Sequence, residues 1–295
     1  MSPSMSLTTP WSRAMNLRVP VVNAPMGGAA GGALAAAVSR AGGLGMIGMG
    51  SPATPDLLST ELATMGDLGL PFGIGLVHWV MTARPQLLEV ALSARPTLLS
   101  VSFGEDWAWV SSAHQAGVGV ATQVGTVDAA LRAVDAGVDV LVTRGAEGGG
   151  HGEPRMGTLP LLTEVLDRVD VPVLAAGGIA SARGLAAVLA AGASGAWLGT
   201  VFSTCVEAST PPESRVALLA ASGESTTVTD EFDRAQGYPW PPTIPERVLR
   251  GADGHPVPVN AGQGVGMVTA SPSAGELVAQ LCSGAESLLR SWECY

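Results

Sequence analysis

His151 is the chain's clearest candidate for acid–base chemistry, closing the run Gly145-Ala146-Glu147-Gly148-Gly149-Gly150-His151-Gly152. A neutral imidazole, with an unperturbed pKa of about 6.5, can abstract or donate a proton near neutral pH. Three glycines ahead of it keep it off a helix face and out of a strand core, which argues for an exposed loop position. The plain alternative is a surface histidine in a flexible segment. Glu147, four residues earlier, either orients the imidazole or makes an ordinary loop contact. Two other stretches have the make-up of anion-binding turns: Ala176-Gly177-Gly178-Ile179, just ahead of a predicted helix, and Leu198-Gly199-Thr200. Glycines let backbone N–H groups approach a phosphate closely, and a helix N-terminus adds a favourable dipole. Taken singly, each is equally an ordinary tight turn. The stretch Ala24-Pro25-Met26-Gly27-Gly28 could hold a flat ring against backbone atoms, with Met26 as an adaptable apolar wall.

Composition removes several chemistries. All 15 basic residues are Arg, and the absence of Lys excludes Schiff-base catalysis, a P-loop lysine and a lysine general base. His78 ends a predicted strand, where it can face a site. His114 sits in a predicted helix and reads as solvated, and His255 lies in a Gly/Pro loop. No two histidines have metal-ligand spacing, so no metal is expected. Cys205, Cys282 and Cys294 are odd in number and far apart, which suggests neither a disulfide framework nor a metal cluster, and a reducing cytoplasm as the setting. A net charge of -10 argues against nucleic acid or an anionic membrane as partner. The apolar stretches Ala29–Ala41 and Ala186–Leu198 are broken by glycine and do not read as membrane spans.

The elements that must position these residues alternate along the chain. Strands are predicted at Val19–Asn23, Leu44–Ile47, Phe72–Val77, Leu98–Ser102, Val118–Gln123, Val138–Thr143, Val171–Ala175 and Gly195–Leu198. Between them lie helices such as Pro55–Met65 capped by Thr54, Val127–Ala136 capped by Thr126, and Ser181–Ala190. Parallel strands need crossover helices, and eight such units favour a closed α/β (β/α)8 barrel over an open sheet. Barrel sites lie on loops after the strands, which is where the glycine turns and His151 fall. Residues Met1–Ser12 read as a loose leader. After Thr200 the alternation fails, so 205–258 is expected to form a small irregular Pro-rich lobe, with 13–204 and 259–295 forming the barrel. Tyr238-Pro239-Trp240-Pro241-Pro242 is too stiff for a helix or central strand, and lies either across the barrel mouth or around its side. Ala274–Trp292 reads as a closing amphipathic helix carrying Leu277, Leu281, Leu288 and Leu289.

In their joint order these motifs resemble the nitronate monooxygenase family, formerly the 2-nitropropane dioxygenases. The same superfamily includes flavin-dependent enoyl-acyl-carrier-protein reductases and NADH:quinone reductases. The likeness runs from about Val19 to Thr200, with a further piece at Ala261-Gly262-Gln263-Gly264. It implies FMN without a metal, held by Ala24, Pro25, Met26, Gln123, Arg144, Gly149, Gly150, Ala176, Gly177, Gly178, Leu198, Gly199, Thr200 and Gln263. His151 would stand above the reactive face of the ring. Arg144 falls where many relatives have Gln, and its charge could stabilise an anionic flavin if it reaches the ring. The implied reaction is oxidation of an alkyl nitronate by O2 to a carbonyl compound and nitrite. The rival is NAD(P)H-dependent reduction of an enoyl thioester, a quinone or a related acceptor. A homodimer is a further possibility. Three departures bear on the substrate: Gly73-Ile74-Gly75 stands where relatives often carry Asn, Ser102-Phe103-Gly104 lacks the His that some members carry in a Ser-Phe-His-Phe-Gly stretch, and the lobe around Tyr238–Pro242 differs from the best-described members.

Overall fold

A parallel sheet whose strands are apolar on both faces must be covered on both, and this chain does so by closing the sheet into a barrel. The computed structural model describes residues 7–291. In chain order the strands are β1 (Val21–Asn23), β2 (Gly45–Met49), β3 (Phe72–Val77), β4 (Leu98–Ser102), β5 (Gly119–Val124), β6 (Val140–Arg144), β7 (Gly150–His151), β8 (Val173–Ala176), β9 (Gly195–Leu198), β10 (Thr226–Thr229), β11 (Glu246–Arg250) and β12 (Pro256–Asn260). Eight of them pair in parallel in the order β1-β9-β8-β6-β5-β4-β3-β2. A parallel bridge between Val22 and Leu44 joins the two ends, with the Leu44 N–H donating to the Val21 carbonyl at 2.9 Å. The expected (β/α)8 barrel is therefore present.

Its interior is filled by Val22, Leu44, Met46, Leu98, Ala121, Val142, Leu174 and Trp197, all buried. The alternate residues, such as Ile47, Ile74, Leu99 and Leu141, face outward under the helices. Small residues set the helix–sheet spacing. A Cβ added at Gly45 would run into the backbone of Ala35, so helix Gly32–Ala41 sits as low as it does because that position has no side chain.

The beginning of the described chain belongs to the fold, contrary to a loose leader up to Ser12. Thr9 caps a short helix, Pro10–Ala14, in a reciprocal capping box with Ser12, and its hydroxyl donates to the Ser194 carbonyl at 2.6 Å. Trp11, only 5% exposed, packs with the barrel interior and plugs the end at which the strands begin. The helix Ala274–Ser291 buries Leu277, Val278, Leu281, Cys282 and Ala285 against helices Ala182–Ala190 and Gly32–Ala41, completing the outer ring. Trp292 and Cys294 lie outside the described residues. Among the described residues no helix is long and apolar enough to cross a membrane.

The lobe is more regular than its prolines suggested. Strand β11 pairs antiparallel with β10 along one edge, and with β12 and β7 along the other. Pro256 and Pro258 are tolerated because they lie in β12, which pairs only with β11, and an edge strand can lack ladder donors. Strand β7 leaves the barrel rim to join this sheet, and that one pairing carries His151 into the lobe.

Candidate active site

The strands β6, β8, β9 and β1 are consecutive neighbours in the barrel wall, so their C-terminal ends form one arc of the rim. Arg144 is paired with Ala176, Ala176 with Trp197, and Leu198 with Asn23, which brings the candidate turns side by side. Pro25 can bend into the mouth because Gly48 and Gly75, partners across β2 and β3, leave room for it. An added Cβ at either glycine would run into Pro25. This accounts for the glycine at 75 within the Gly73-Ile74-Gly75 stretch. Gly199 opens toward the same turn: a Cβ there would meet only Met26 Sδ at 3.5 Å and Ala24 Cβ at 3.8 Å, both ordinary contacts. The Ala24–Met26 turn and Gly199 thus form an apolar ledge, bare at Gly199 and edged by Met26 and Ala24, suited to a flat ring. Gly177 and Gly178, with φ of 116° and 67°, hold the neighbouring backbone in a turn next to helix Ala182–Ala190, as an anion site requires. Among the other assigned residues, Thr200 Oγ1 accepts from Gly262 N–H at 2.9 Å and keeps its own hydroxyl hydrogen free to donate, and Gln263 is exposed. These residues fit a flavin.

His151 is not in a free loop. Gly150 turns the chain at φ 67°, and His151 then pairs opposite Glu246 in the β7–β11 ladder. Three glycines therefore did not prevent a strand position, because the partner strand comes from the lobe. The side chain is 15% exposed. Its Nε2 lies 2.8 Å from Asp233 Oδ2, and the Trp240 ring stacks on it at 3.6 Å between centroids and 9° between planes. Trp240 is held from behind by its Nε1–H, which donates to Ser51 Oγ at 3.0 Å. The Tyr238–Pro242 run thus lies across the mouth. Phe103 adopts φ 72°, a costly backbone conformation for a bulky residue, and presents its edge to Trp240 at 4.9 Å and to His151 at 6.3 Å. Gln123 Nε2 donates to the His151 carbonyl at 3.5 Å.

Burial lowers the His151 pKa, with Asp233 opposing and Arg144 assisting, so the ring is neutral around pH 7. Glu246 is pushed from 4.5 up to about 7, first by burial and then by the charge of Asp233. A carboxyl whose folded pKa is raised stabilises the fold while protonated, and that contribution is lost as pH rises from about 4.5 through about 7. Glu246→Gln is therefore expected to exceed the wild type in stability by about 2 kcal/mol near pH 8, with the gap closing toward pH 5, in urea unfolding at the two pH values.

Two sequence expectations are redistributed by the contacts. Glu147 does not touch the imidazole; its carboxylate accepts from the Thr158 backbone N–H at 2.9 Å and the Thr158 hydroxyl at 2.8 Å. Arg144, buried at the end of β6, donates from Nη2 to the carbonyls of Gly148, Gly149 and Gly150 at 2.6, 3.2 and 2.8 Å. That side chain binds the glycine loop, a role its position beside a flavin did not predict. Gly149 has a packing reason of its own, since a Cβ there would stand 2.6 Å from Gly262 N. His78 packs against Gly104 rather than joining His151, His114 pairs with Asp139 at 3.0 Å, and His255 is exposed. Asp233 and Glu246 were not singled out from sequence, and Phe103 entered only within the Ser102-Phe103-Gly104 departure. Asp233 is 82 residues from His151, and nothing in the spacing connects them.

The sequence profile of the family described as nitronate monooxygenase matches residues 9–86 and 76–240, and the chain belongs to that family. A solved structure of FabK from Thermotoga maritima superposes with a TM-score of 0.86 at 25% identity, covering 98% of this chain and 99% of that one. Nitroalkane oxidase from Streptomyces ansochromogenes gives 0.81 at 27% identity, covering 95% and 99%. A curated relative from Rhodococcus jostii, named as a 5-hydroxy-7a-methyl-1-oxo-octahydro-1H-indene-4-carboxyl-CoA dehydrogenase, is 33% identical over 77% of this chain, which spans 64% of the relative's length.

Proposed function

We propose that this chain is an FMN-dependent oxidoreductase that oxidises an alkyl nitronate, or the nitroalkane from which it forms, to a carbonyl compound and nitrite with O2. The observation that carries this reading is a neutral, oriented imidazole, His151, on the same barrel rim as a ledge that fits a flavin. Ala24–Met26 and Gly199 would line the ring, and Gly177, Gly178 and Thr200 would take the phosphate. FMN bound there would supply the electron acceptor for the substrate and the route to oxygen. His151 would remove the proton on the carbon bearing the nitro group, or hold a preformed nitronate by a hydrogen bond. Trp240 and Phe103 would exclude water from that carbon and select an apolar substituent.

The name of the Rhodococcus relative favours a second reading, redox chemistry on a coenzyme A thioester with a nicotinamide as partner. Anaerobic absorbance spectra of the FMN-loaded protein, with a nitronate and separately with NAD(P)H, tell the two apart. Bleaching by nitronate, with nitrite released once air is admitted, is expected. Rapid bleaching by NAD(P)H without nitrite from any nitronate in air would overturn the first reading.

A further inference from the structure

Resting on that assignment of His151, we propose that Asp233, supplied by the lobe, is a positioning residue that dictates which nitrogen of the imidazole meets the substrate. The argument is one of donors and acceptors. A carboxylate can only accept, so at 2.8 Å from Asp233 Oδ2 the Nε2 atom carries the hydrogen. In the neutral ring the lone pair is then on Nδ1, and Nδ1 is the base. The β7–β11 pairing fixes the backbone, and the stacked Trp240 opposes a ring flip that would exchange the two nitrogens. When Nδ1 takes the proton, the carbon–hydrogen bond breaks, its electron pair stays on the substrate as the nitronate, and Nδ1–H forms. The new imidazolium keeps Asp233 as its counter-ion.

Three charged or titratable groups face this ring. Asp233 comes from helix Glu231–Gln236, Glu246 from β11 and Arg144 from β6. Asp233 is 6% and Glu246 7% exposed, so both act in a region poor in water. Of the three, Asp233 alone lies within hydrogen-bond distance of the imidazole. The lobe is thus part of the acid–base apparatus and more than a cover: it furnishes the partner of Nε2, the ring stacked on the imidazole, and the strand that fixes its backbone.

Two measurements test this. The first is nitrogen-15 NMR of histidine-labelled protein above neutral pH, with His151→Ala identifying the resonances. Protonated Nε2 and bare Nδ1 are expected in the wild type. A proton on Nδ1 would overturn the proposal whatever reaction the enzyme performs, and it needs no folded Asp233 variant. The second compares kcat/KM across pH for Asp233→Asn and Asp233→Glu. Asp233→Asn should lose about 10²-fold or more on a neutral nitroalkane, with its acid limb at lower pH because the anion favouring the imidazolium is gone. Preformed nitronate should be oxidised at close to the wild-type rate, and Asp233→Glu should restore part of the loss. Equal losses on both substrates, or an unmoved acid limb, would sink the positioning role. Failure of the functional reading shows itself separately, as a wild type that releases no nitrite while its tautomer result stands.

Discussion

His151→Ala is expected to lower kcat/KM for a neutral nitroalkane by about 10²–10⁴-fold, the usual contribution of a positioned general base. Oxidation of the preformed nitronate should fall by no more than about tenfold, because that substrate has already lost its proton and needs only a hydrogen bond. The ratio of the two losses is the informative quantity. It separates proton abstraction from binding, which would depress both substrates alike. Structure gives reason to expect a clean result. The ring's contacts are to Trp240, Phe103 and Asp233 at the mouth, and it is not among the residues that fill the barrel interior, so its removal is expected to leave the barrel in place. The pH profile supplies a second check. Burial holds the His151 pKa below its ordinary 6.5, so wild-type activity on the neutral substrate should rise with pH along a limb centred below that value. A limb centred above neutral pH would mean that another group takes the proton.

Arg144→Met is expected to be the most damaging substitution in the glycine loop, costing about 3 kcal/mol in stability and most of the bound flavin. Its Nη2 satisfies the carbonyls of Gly148, Gly149 and Gly150, and the side chain is 5% exposed. Methionine fills much of the volume and donates nothing, leaving inward-facing carbonyls without partners and a loop without its clamp. Lysine should recover only part of the loss, since one ammonium cannot match the planar fork of the guanidinium. Burial and the nearby Arg247 lower the Arg144 pKa to about 10, so the clamp stays charged and the defect should be constant from about pH 5 to pH 8. Denaturant unfolding and the absorbance of retained flavin are the measurements. Wild-type stability with full flavin retention would show that the loop holds itself.

Much of the scaffold was legible along the chain. Phe72–Val77, Leu98–Ser102 and Gly195–Leu198 are strands at the predicted residues, Thr54 and Thr126 cap their helices as expected, and the helix predicted from Ser181 starts at Ala182 with Ser181 as its cap. Runs of apolar residues, caps and glycine turns act over a few neighbours, so contiguous sequence reports them. The lobe was less legible because its strands are short, partly exposed and interrupted by proline, and they exist only as partners of β11. The helix Pro10–Ala14 and its Thr9 cap escaped the reading for a similar reason. Trp11 is worth burying only when an open barrel end is there to receive it.

The barrel, the glycine turns after its strands, the exclusion of lysine chemistry and His151 as the candidate base were all readable along the chain. Each of these follows from local periodicity or from residue inventory. Tertiary structure alone decided that His151 is held on a strand, that Asp233 rather than Glu147 is its partner, and that Arg144 ties the loop. The physical reason is register. Pairing β7 with β11 brings Glu246 opposite His151 and the lobe's Asp233 and Trp240 onto the imidazole. A contact made across 82 residues leaves no periodic trace in the chain that forms it.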